Sequence, residues 1–228
     1  DDYLAFIRGE RKPKSAKAYH SKLTATCIDR CPAHIDIPTY IEEIKDRRHD
    51  ESLATIRDFL PIPAVCGRVC PQEVQCEEQC SVGIRFKPVA IGYLERFVAD
   101  WEMGQPALEV KANLDRSEKV AVIGSGPAGL VCAGELARLG HPVTIFEALH
   151  APGGVLRYGI PEFRLPKNVL DWEIEQLKRL GVEIQCNVII GKTITMDELM
   201  GEMGFSAVFI GTGAGLPSFL GITGENLN

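Results

Sequence analysis

Val120-Ala-Val-Ile-Gly124-Ser-Gly126-Pro-Ala-Gly129 is the stretch of sequence that decides the fold. Its apolar run predicts a strand, and the Gly-x-Gly-x-x-Gly spacing predicts a tight turn that opens a helix. Gly124 permits the turn, Gly126 lets the backbone approach a pyrophosphate, and Gly129 lets the helix pack close to the strand. The N-terminus of that helix would present free N–H groups to phosphate. The stretch therefore indicates a dinucleotide-binding turn.

The residues on either side continue an alternation of strands and helices. Strands are predicted at residues 119–123, 142–147, 182–188 and 207–210, and helices at residues 127–140 and from about 166 to 180. Thr195-x-x-Glu198 is a capping box that opens one more short helix. Strands separated by helical segments imply a parallel sheet with crossover helices. The C-terminal half of the chain is therefore predicted to be an α/β, Rossmann-like domain.

Further residues around the turn favour a long dinucleotide. Glu147 ends the second strand at about the spacing expected of a ribose ligand. Later glycine turns at residues 153–154 and 211–213 allow other close backbone approaches, and Arg164 could reach a phosphate or a flavin ring. Several such turns suit an extended FAD better than a nicotinamide nucleotide bound at one crevice. The candidate cofactor-binding residues are Gly124, Ser125, Gly126, Pro127, Ala128, Gly129, Glu147, Gly154, Val155, Arg164, Val188, Thr212 and Gly213.

The N-terminal half carries a different pattern, built around cysteines. Six of the eight cysteines lie in the first 80 residues, in three Cys-x3-Cys pairs at residues 27/31, 66/70 and 76/80. Apolar residues at helical spacing predict helices at residues 38–47, 51–60 and 88–101, and no strand alternation appears. Clustered cysteines in a cytosolic chain are more often metal ligands than disulfides. Cys132 and Cys186 fall in apolar stretches and are predicted to be small buried hydrophobic residues.

Composition and patterning divide the chain and exclude several classes. Residues 1–110 are predicted to form the helical domain, residues 104–118 a linker, and residues 118–228 an incomplete α/β domain. The net charge of −6 and pI near 5.5 argue against a nucleic-acid surface, and the basic run from Arg8 to Lys22 is interpreted as a solvated arm. No apolar stretch approaches the ~18 residues of a membrane span, and no signal-peptide pattern is present. A cytoplasmic protein is expected rather than a secreted, disulfide-linked domain, and the absence of a starting Met suggests partial ends.

Several motifs together resemble one family. They are Cys31-Pro followed by Ile-Asp-Ile-Pro, Cys66-Gly-Arg-Val-Cys70-Pro, Cys76-Glu-Glu-Gln-Cys80, Pro88-Val-Ala-Ile-Gly-Tyr-Leu-Glu95-Arg-Phe and Gly159-Ile-Pro-Glu-Phe-Arg164-Leu-Pro. Residues 24–228 resemble the small (β) subunit of NADPH-dependent glutamate synthase, the large subunit of NADH-dependent ferredoxin:NADP oxidoreductase and the N-terminal half of dihydropyrimidine dehydrogenase. The resemblance implies a helical iron–sulfur domain joined to an FAD domain. Electrons would pass between NAD(P)H, FAD and clusters, and on to a ferredoxin or a catalytic subunit in a hetero-oligomer.

The resemblance also implies which residues hold the clusters. One [4Fe–4S] cluster would be bound by three thiolates and a carboxylate, from Cys31, Cys70, Cys76 and Glu95. The family's second cluster uses a Cys-x2-Cys-x4-Cys-x3-Cys-Pro run, whose first two positions here are Tyr19 and Lys22. Only Cys27 and Cys80 of that second set remain, with Cys66 a conceivable third ligand. A second cluster, two ordinary thiols and a disulfide all stay open for this pair.

Two further expectations concern activity. In the family a nicotinamide-binding domain is inserted after the region where this chain ends, so NAD(P)H is expected to bind as a substrate outside this segment. The cofactors would carry the chemistry, and no catalytic side chain is required. The alternative function is a non-enzymatic adaptor whose cysteines hold structural zinc beside a degenerate nucleotide fold, although zinc more often takes Cys-x2-Cys spacing.

Overall fold

The computed structural model describes residues 25–105, 115–215 and 221–224. The basic run from Arg8 to Lys22, with Tyr19, lies outside the described residues, as do most of the predicted linker and the end of the chain at Asn228. Within the described residues no helix is both long and apolar enough to cross a bilayer.

The helical domain, described over residues 25–105, has helices as its only regular elements in that range. They are α1 (Thr26–Arg30), α2 (Ile37–Lys45), α3 (His49–Arg57), α4 (Pro63–Val69) and α5 (Ile91–Met103), with 3-10 turns at Gln72–Val74 and Ser81–Ile84. The helix α2 begins where the Asp36 side chain accepts a hydrogen bond from the Thr39 amide. The buried Tyr40 hydroxyl of α2 donates to the carbonyl oxygen of Ile91 at 3.1 Å and so fixes α2 against the start of α5. The three helices predicted here are confirmed.

The Rossmann domain, described over residues 115–215, is a parallel sheet with helices. Its elements are β1 (Val120–Ile123), α6 (Pro127–Arg138), β2 (Val143–Phe146), α7 (Val155–Tyr158), α8 (Lys167–Arg179), β3 (Glu183–Gln185), α9 (Met196–Met200) and β4 (Ala207–Ile210). The strand order is β3-β2-β1-β4, and all three neighbouring pairs are parallel. The chain therefore turns to the other side of β1 to form β4, and a crevice opens at the carboxyl ends of β1 and β4. The predicted fold class, a helical domain followed by a Rossmann-like domain, is confirmed.

Three details differ from the sequence predictions. The third strand spans only residues 183–185, because the Val188 amide bonds the carbonyl oxygen of Glu147 instead of continuing the strand ladder. The predicted loop after Glu147 contains a short helix, α7, which begins after the tight turn at Gly154. Cys132 and Cys186 are half-buried rather than buried.

The two domains share one apolar core. Buried side chains from α2 and α4, such as Tyr40 and Val65, belong to the same packed cluster as Leu130 of α6 and Leu177 of α8. The helix α4 packs directly against α8. The helix α4, which ends at Cys70, therefore packs against the side of the Rossmann domain.

Candidate functional site

The first turn of the Rossmann domain is shaped by contacts within the chain itself. Gly124 has φ of +97°, which L side chains rarely adopt, and a Cβ there would lie 2.5 Å from the carbonyl oxygen of Gly211. A Cβ on Gly129 would overlap the carbonyl oxygen of Gly124. The first and third glycines thus let β1, α6 and the Gly211 turn meet at one point, as their spacing predicted.

Gly126 is different, because nothing in the described chain requires a glycine there. Its φ of −65° and ψ of 179° suit any residue, and a Cβ would meet no atom within 4 Å. It is the N-cap of α6, and a glycine has no side chain with which to cap the helix. Open space in front of a helix N-terminus, lined by bare backbone, is what a phosphate group needs. This is the observation by which the turn fits a dinucleotide.

The Glu147 carboxylate and the Ser125 hydroxyl join three turns by hydrogen bonds beside this space. The buried Glu147 accepts hydrogen bonds from the Ser125 amide at 2.9 Å, from the Ser125 hydroxyl, and from the Leu149 amide at 2.8 Å. The Ser125 oxygen in turn accepts from the Gly153 amide at 2.9 Å. A carboxylate offers about four lone-pair sites, so one remains for a ribose hydroxyl. The sequence predicted Ser125 as a candidate but not the hydrogen bonds by which its hydroxyl joins the turns.

The remaining candidate residues lie around the same edge to different degrees. A Cβ on Gly154 would lie 2.8 Å from the Cα of Gly126, so the second glycine turn packs on the first. Val188 is half-buried, and its amide bonds the Glu147 carbonyl oxygen at 2.9 Å. Pro127 and Ala128 begin α6, while Val155, Thr212 and Gly213 are exposed beside these turns. Arg164 is exposed in the turn after Pro161, and its reach to a phosphate or a flavin stays a prediction.

The four predicted ligands of the first cluster come from four separate segments. Cys31 follows α1, Cys70 follows α4, Cys76 lies in the turn beyond the first 3-10 turn, and Glu95 lies in α5. Burial, and then the charges of Glu95 and Cys70, raise the pKa of the Cys31 thiol. Burial, followed by the charges of Cys31 and Glu95, raises the pKa of Cys76 to about 12. Charge interactions thus link Cys31 to Glu95 and Cys70, and Cys76 to Cys31 and Glu95, which supports a common location for the four groups.

Glu95 carries a buried oxygen atom that could bind a cluster. Its side chain is only 6% exposed, and its Oε1 atom has no hydrogen-bond partner among the described residues. Burial, with the charges of Cys70 and Glu173, raises the pKa of Glu95 to about 8. A buried carboxylate oxygen without a partner is costly, and a bound cation would supply the partner. The donor set, three sulfurs and one carboxylate, fits an iron–sulfur cluster.

These donors do not crowd around a single point. Among the described residues, no group of three His, Cys, Asp or Glu side chains is placed to hold one metal ion. A tetrahedral zinc site needs all its donors about 2.0–2.3 Å from one atom. Ligands of a cubic cluster each bind a different iron and are spaced more widely.

Two other cysteine contacts complete the site. Burial and then the charges of Cys80 and Cys31 raise the pKa of Cys27. The flanking segments are joined by a hydrogen bond from the Thr26 hydroxyl to the Gln79 carbonyl oxygen. An ion pair at 3.5 Å between the side chains of residues 30 and 78 adds a second link. The segments that carry Cys27 and Cys80 are thus adjacent, and a second ligand set at this pair stays a prediction.

Cys66 lies next to Cys70. A hydrogen bond from the Cys66 thiol lowers the pKa of Cys70 to about 7, while the hydrogen bond and burial raise the pKa of Cys66 well above its ordinary value. Sequence reasoning gave Cys66 only a conceivable ligand role, and the structure shows it as a neighbour of a predicted ligand. The Cys-x3-Cys spacing on one helix face was the signal that could have shown this contact.

Two segments of the chain match models of known protein families. Residues 11–107 match the family model of dihydropyrimidine dehydrogenase domain II with its 4Fe-4S cluster, and residues 122–181 match that of an NAD(P)-binding Rossmann-like domain. The chain therefore joins a segment similar to the 4Fe-4S domain of dihydropyrimidine dehydrogenase to a segment similar to an NAD(P)-binding Rossmann-like domain. The family resemblance inferred from the sequence motifs is therefore confirmed.

Three relatives show what this family includes. The chain is 44% identical to the NADPH-Fe(3+) oxidoreductase subunit beta of Geobacter sulfurreducens, over 99% of the chain and 34% of that protein. It is 44% identical to the NADP(+)-dependent formate dehydrogenase subunit beta of Moorella thermoacetica, over 94% of the chain and 33% of that protein. It is 42% identical to the NAD-dependent dihydropyrimidine dehydrogenase subunit PreT of Escherichia coli K12, over 86% of the chain and 48% of that protein. The chain thus spans between a third and a half of the length of these relatives.

Proposed function

We propose that this chain is the electron-relay module of an NAD(P)H-dependent oxidoreductase, with FAD at the Gly126 turn and a [4Fe–4S] cluster at Cys31, Cys70, Cys76 and Glu95. The observation that carries the proposal is the buried Oε1 atom of Glu95, which has no hydrogen-bond partner among the described residues, on a carboxyl group whose charge acts on Cys31 and Cys76. The packing of the helical domain on the Rossmann domain supports it, because electron transfer between two centres needs them to lie close together. NAD(P)H would bind as the substrate outside this segment.

The choice of FAD depends on the three glycine turns. The matched family model is described as NAD(P)-binding, and that description fits the Gly124 turn alone. The turns at residues 153–154 and 211–213 pack against the same turn, so bare backbone lines an extended edge. A bound flavin would accept a hydride and release single electrons. The residues of this chain would hold its pyrophosphate at the α6 N-terminus and its ribose at Glu147.

The proposal also includes a partner protein and a second metal site. The relatives named above are subunits, which supports a hetero-oligomer in which an electron-transfer protein or catalytic subunit accepts the electrons. Cys27 and Cys80 are the second candidate metal pair, supported by the contacts that join their segments. A cytoplasmic location stays a prediction.

The test is a comparison of Cys70→Ala with Cys132→Ala in protein purified without oxygen. Cys70→Ala should lose the iron and sulfide and keep the flavin, because it removes one of four ligands while the Rossmann turn is untouched. Cys132→Ala is the matched control, since Cys132 is a half-buried cysteine of α6 outside the ligand set. Iron, sulfide and flavin would be quantified on each sample. Unchanged iron in Cys70→Ala would contradict the proposal, and a colourless wild-type protein that contains zinc would support the adaptor instead.

A further inference from the structure

A carboxylate of the Rossmann domain caps a helix of the cysteine site. Glu173 of α8 is fully buried, with 0% of its surface exposed. Its Oε1 atom accepts a hydrogen bond from the Ala64 amide at 2.6 Å, and, against the larger effect of burial, the Val65 amide acts with the Ala64 amide to lower the pKa of Glu173. These amides lie in the first turn of α4, the helix that ends at Cys70. An anion at this end satisfies amides that have no partner within the helix.

The charge of Glu173 is only partly compensated. Its Oε2 atom lies 3.6 Å from Nη2 of Arg57 and has no hydrogen-bond partner among the described residues. The same nitrogen lies 2.7 Å from Oε2 of the buried Glu102, so one guanidinium faces two carboxylates. The negative charge of Glu173 in turn contributes to the raised pKa values of Glu95 and Cys66. The charge of Glu173 therefore acts on Glu95, one of the proposed cluster ligands.

We propose that Glu173 is a positioning residue, which holds the Cys70 helix from the Rossmann domain and keeps the reduction potential of the neighbouring cluster low. A fixed negative charge in a poorly solvated interior disfavours the addition of an electron nearby. Charges and hydrogen bonds around a cluster are known determinants of its potential. The inference rests on the proposed cluster at Cys31, Cys70, Cys76 and Glu95.

The electrostatic part is tested by Glu173→Gln in the full-length holoprotein, purified without oxygen. The amide oxygen of Gln can still accept from Ala64, but the charge is gone. A redox titration followed by electron paramagnetic resonance should give a more positive cluster midpoint potential than in the wild type. The titration is run at pH 9, because burial raises the pKa of Glu173 to about 7 and the carboxylate is then ionised. Glu173→Asp, which keeps the charge, should bring the potential back towards the wild-type value.

Glu175→Gln is the matched control. It removes the same charge from the same helix, but Glu175 is exposed and paired with Lys178, so water screens it. The cluster midpoint potential of Glu175→Gln should equal that of the wild type. Equal potentials in Glu173→Gln and Glu175→Gln, with the cluster present, would overturn this inference alone. Wild-type protein that contains no iron or sulfide after purification without oxygen would overturn the proposed function as well.

The positioning part has a readout that needs no cluster. Glu173→Ala removes the acceptor, so hydrogen exchange at the Ala64 and Val65 amides should become faster in the apoprotein. Glu175→Ala should leave these rates unchanged. If Glu173→Gln fails to retain iron, this comparison still decides whether Glu173 holds the Cys70 helix. Unchanged exchange in Glu173→Ala would contradict the positioning role.

Discussion

Gly126 and Gly129 belong to one turn, yet the chain needs them for different reasons. A side chain on Gly129 would overlap the backbone of Gly124, so the fold itself requires glycine at that position. A side chain on Gly126 would meet nothing within 4 Å, and its backbone angles are ordinary. A glycine that the fold does not require is best explained by a ligand. The two positions therefore separate stability from cofactor binding.

Gly126→Val should give a folded protein that has lost its flavin. The free energy of unfolding should change by no more than about 1 kcal/mol, the usual scale of a change at a helix N-cap. Flavin content after purification and urea unfolding of the apoprotein would be measured together. Gly129→Ala should instead lower the free energy of unfolding by about 1–3 kcal/mol, as overpacking does.

Gly104→Ala is the control for these variants. It lies at the end of α5, and a Cβ there would only reach ordinary contact, 3.4 Å from the Trp101 carbonyl oxygen. Both flavin content and stability should stay at the wild-type level. Full flavin occupancy in Gly126→Val would remove the phosphate-turn argument.

At this scale the sequence predicted the residues better than their contacts. The spacing of Gly124, Gly129 and Glu147 follows from what a strand–turn–helix around a dinucleotide must accommodate. The hydrogen bond between the Gly153 amide and the Ser125 hydroxyl could not be predicted, because it depends on how the Gly153 loop packs against the first turn. The sequence also could not predict that the Glu95 carboxyl group has a buried oxygen without a partner among the described residues, because the burial of a helix glutamate is set by packing from other helices.

Among the elements, α9 is the one whose start was fully predictable. The Thr195 hydroxyl accepts from the Glu198 amide at 3.2 Å, and the Glu198 carboxylate accepts from the Thr195 amide at 2.7 Å. Both halves of a capping box are therefore present, and both are local in sequence. The ends of β3 were less predictable, because the Val188 amide is used by a neighbouring strand end.

Thr195→Ala should weaken the first turn of α9 by about 1 kcal/mol, the usual value for loss of a threonine cap. Hydrogen exchange at the Glu198 and Leu199 amides would report it as faster exchange, without a change in the core strands. Unchanged exchange would contradict a stabilising role of the capping box.

Hydrogen bonds from Thr195 lower the pKa of Glu198, so the same box should respond to pH. A carboxyl whose folded pKa is lowered stabilises the folded form above its ordinary pKa and loses that effect as pH falls through the lowered value. Protection of the α9 amides in the wild type should therefore decline only in acid, and Thr195→Ala should weaken this dependence without abolishing it, because the hydrogen bond from the Thr195 amide to the Glu198 carboxylate remains.

At the scale of the whole molecule, Arg57 joins the two domains. Its guanidinium lies 2.7 Å from Glu102 of α5 and 3.6 Å from Glu173 of α8, and its carbonyl oxygen accepts from Arg138 of α6 at 3.0 Å. No local pattern in the sequence predicts such a joint, because its members lie on helices from both domains. The order of helices and strands could be predicted from periodicity, but the packing of one domain on the other could not.

Arg57→Met should lower the free energy of unfolding by about 3–5 kcal/mol, because it leaves two buried carboxylates without their cation. Urea unfolding of the full-length protein would measure this. Arg96→Met is the control, since Arg96 is exposed and its pairing with Asp100 should contribute less than about 1 kcal/mol. Adding Glu102→Gln to Arg57→Met should recover part of the loss. Equal stability of Arg57→Met and Arg96→Met would show that the joint is not stabilising.

The dispersal of the four proposed ligands along the chain has a consequence for maturation in the cell. Cys31 leaves the ribosome well before Glu95, and each long loop between ligands must close before the cube can be held. Iron would therefore be bound only after the chain has been made at least as far as Glu95 of α5. Under iron starvation we expect newly made chains to accumulate with Glu95 buried at a cost, and such chains would be early targets of proteases.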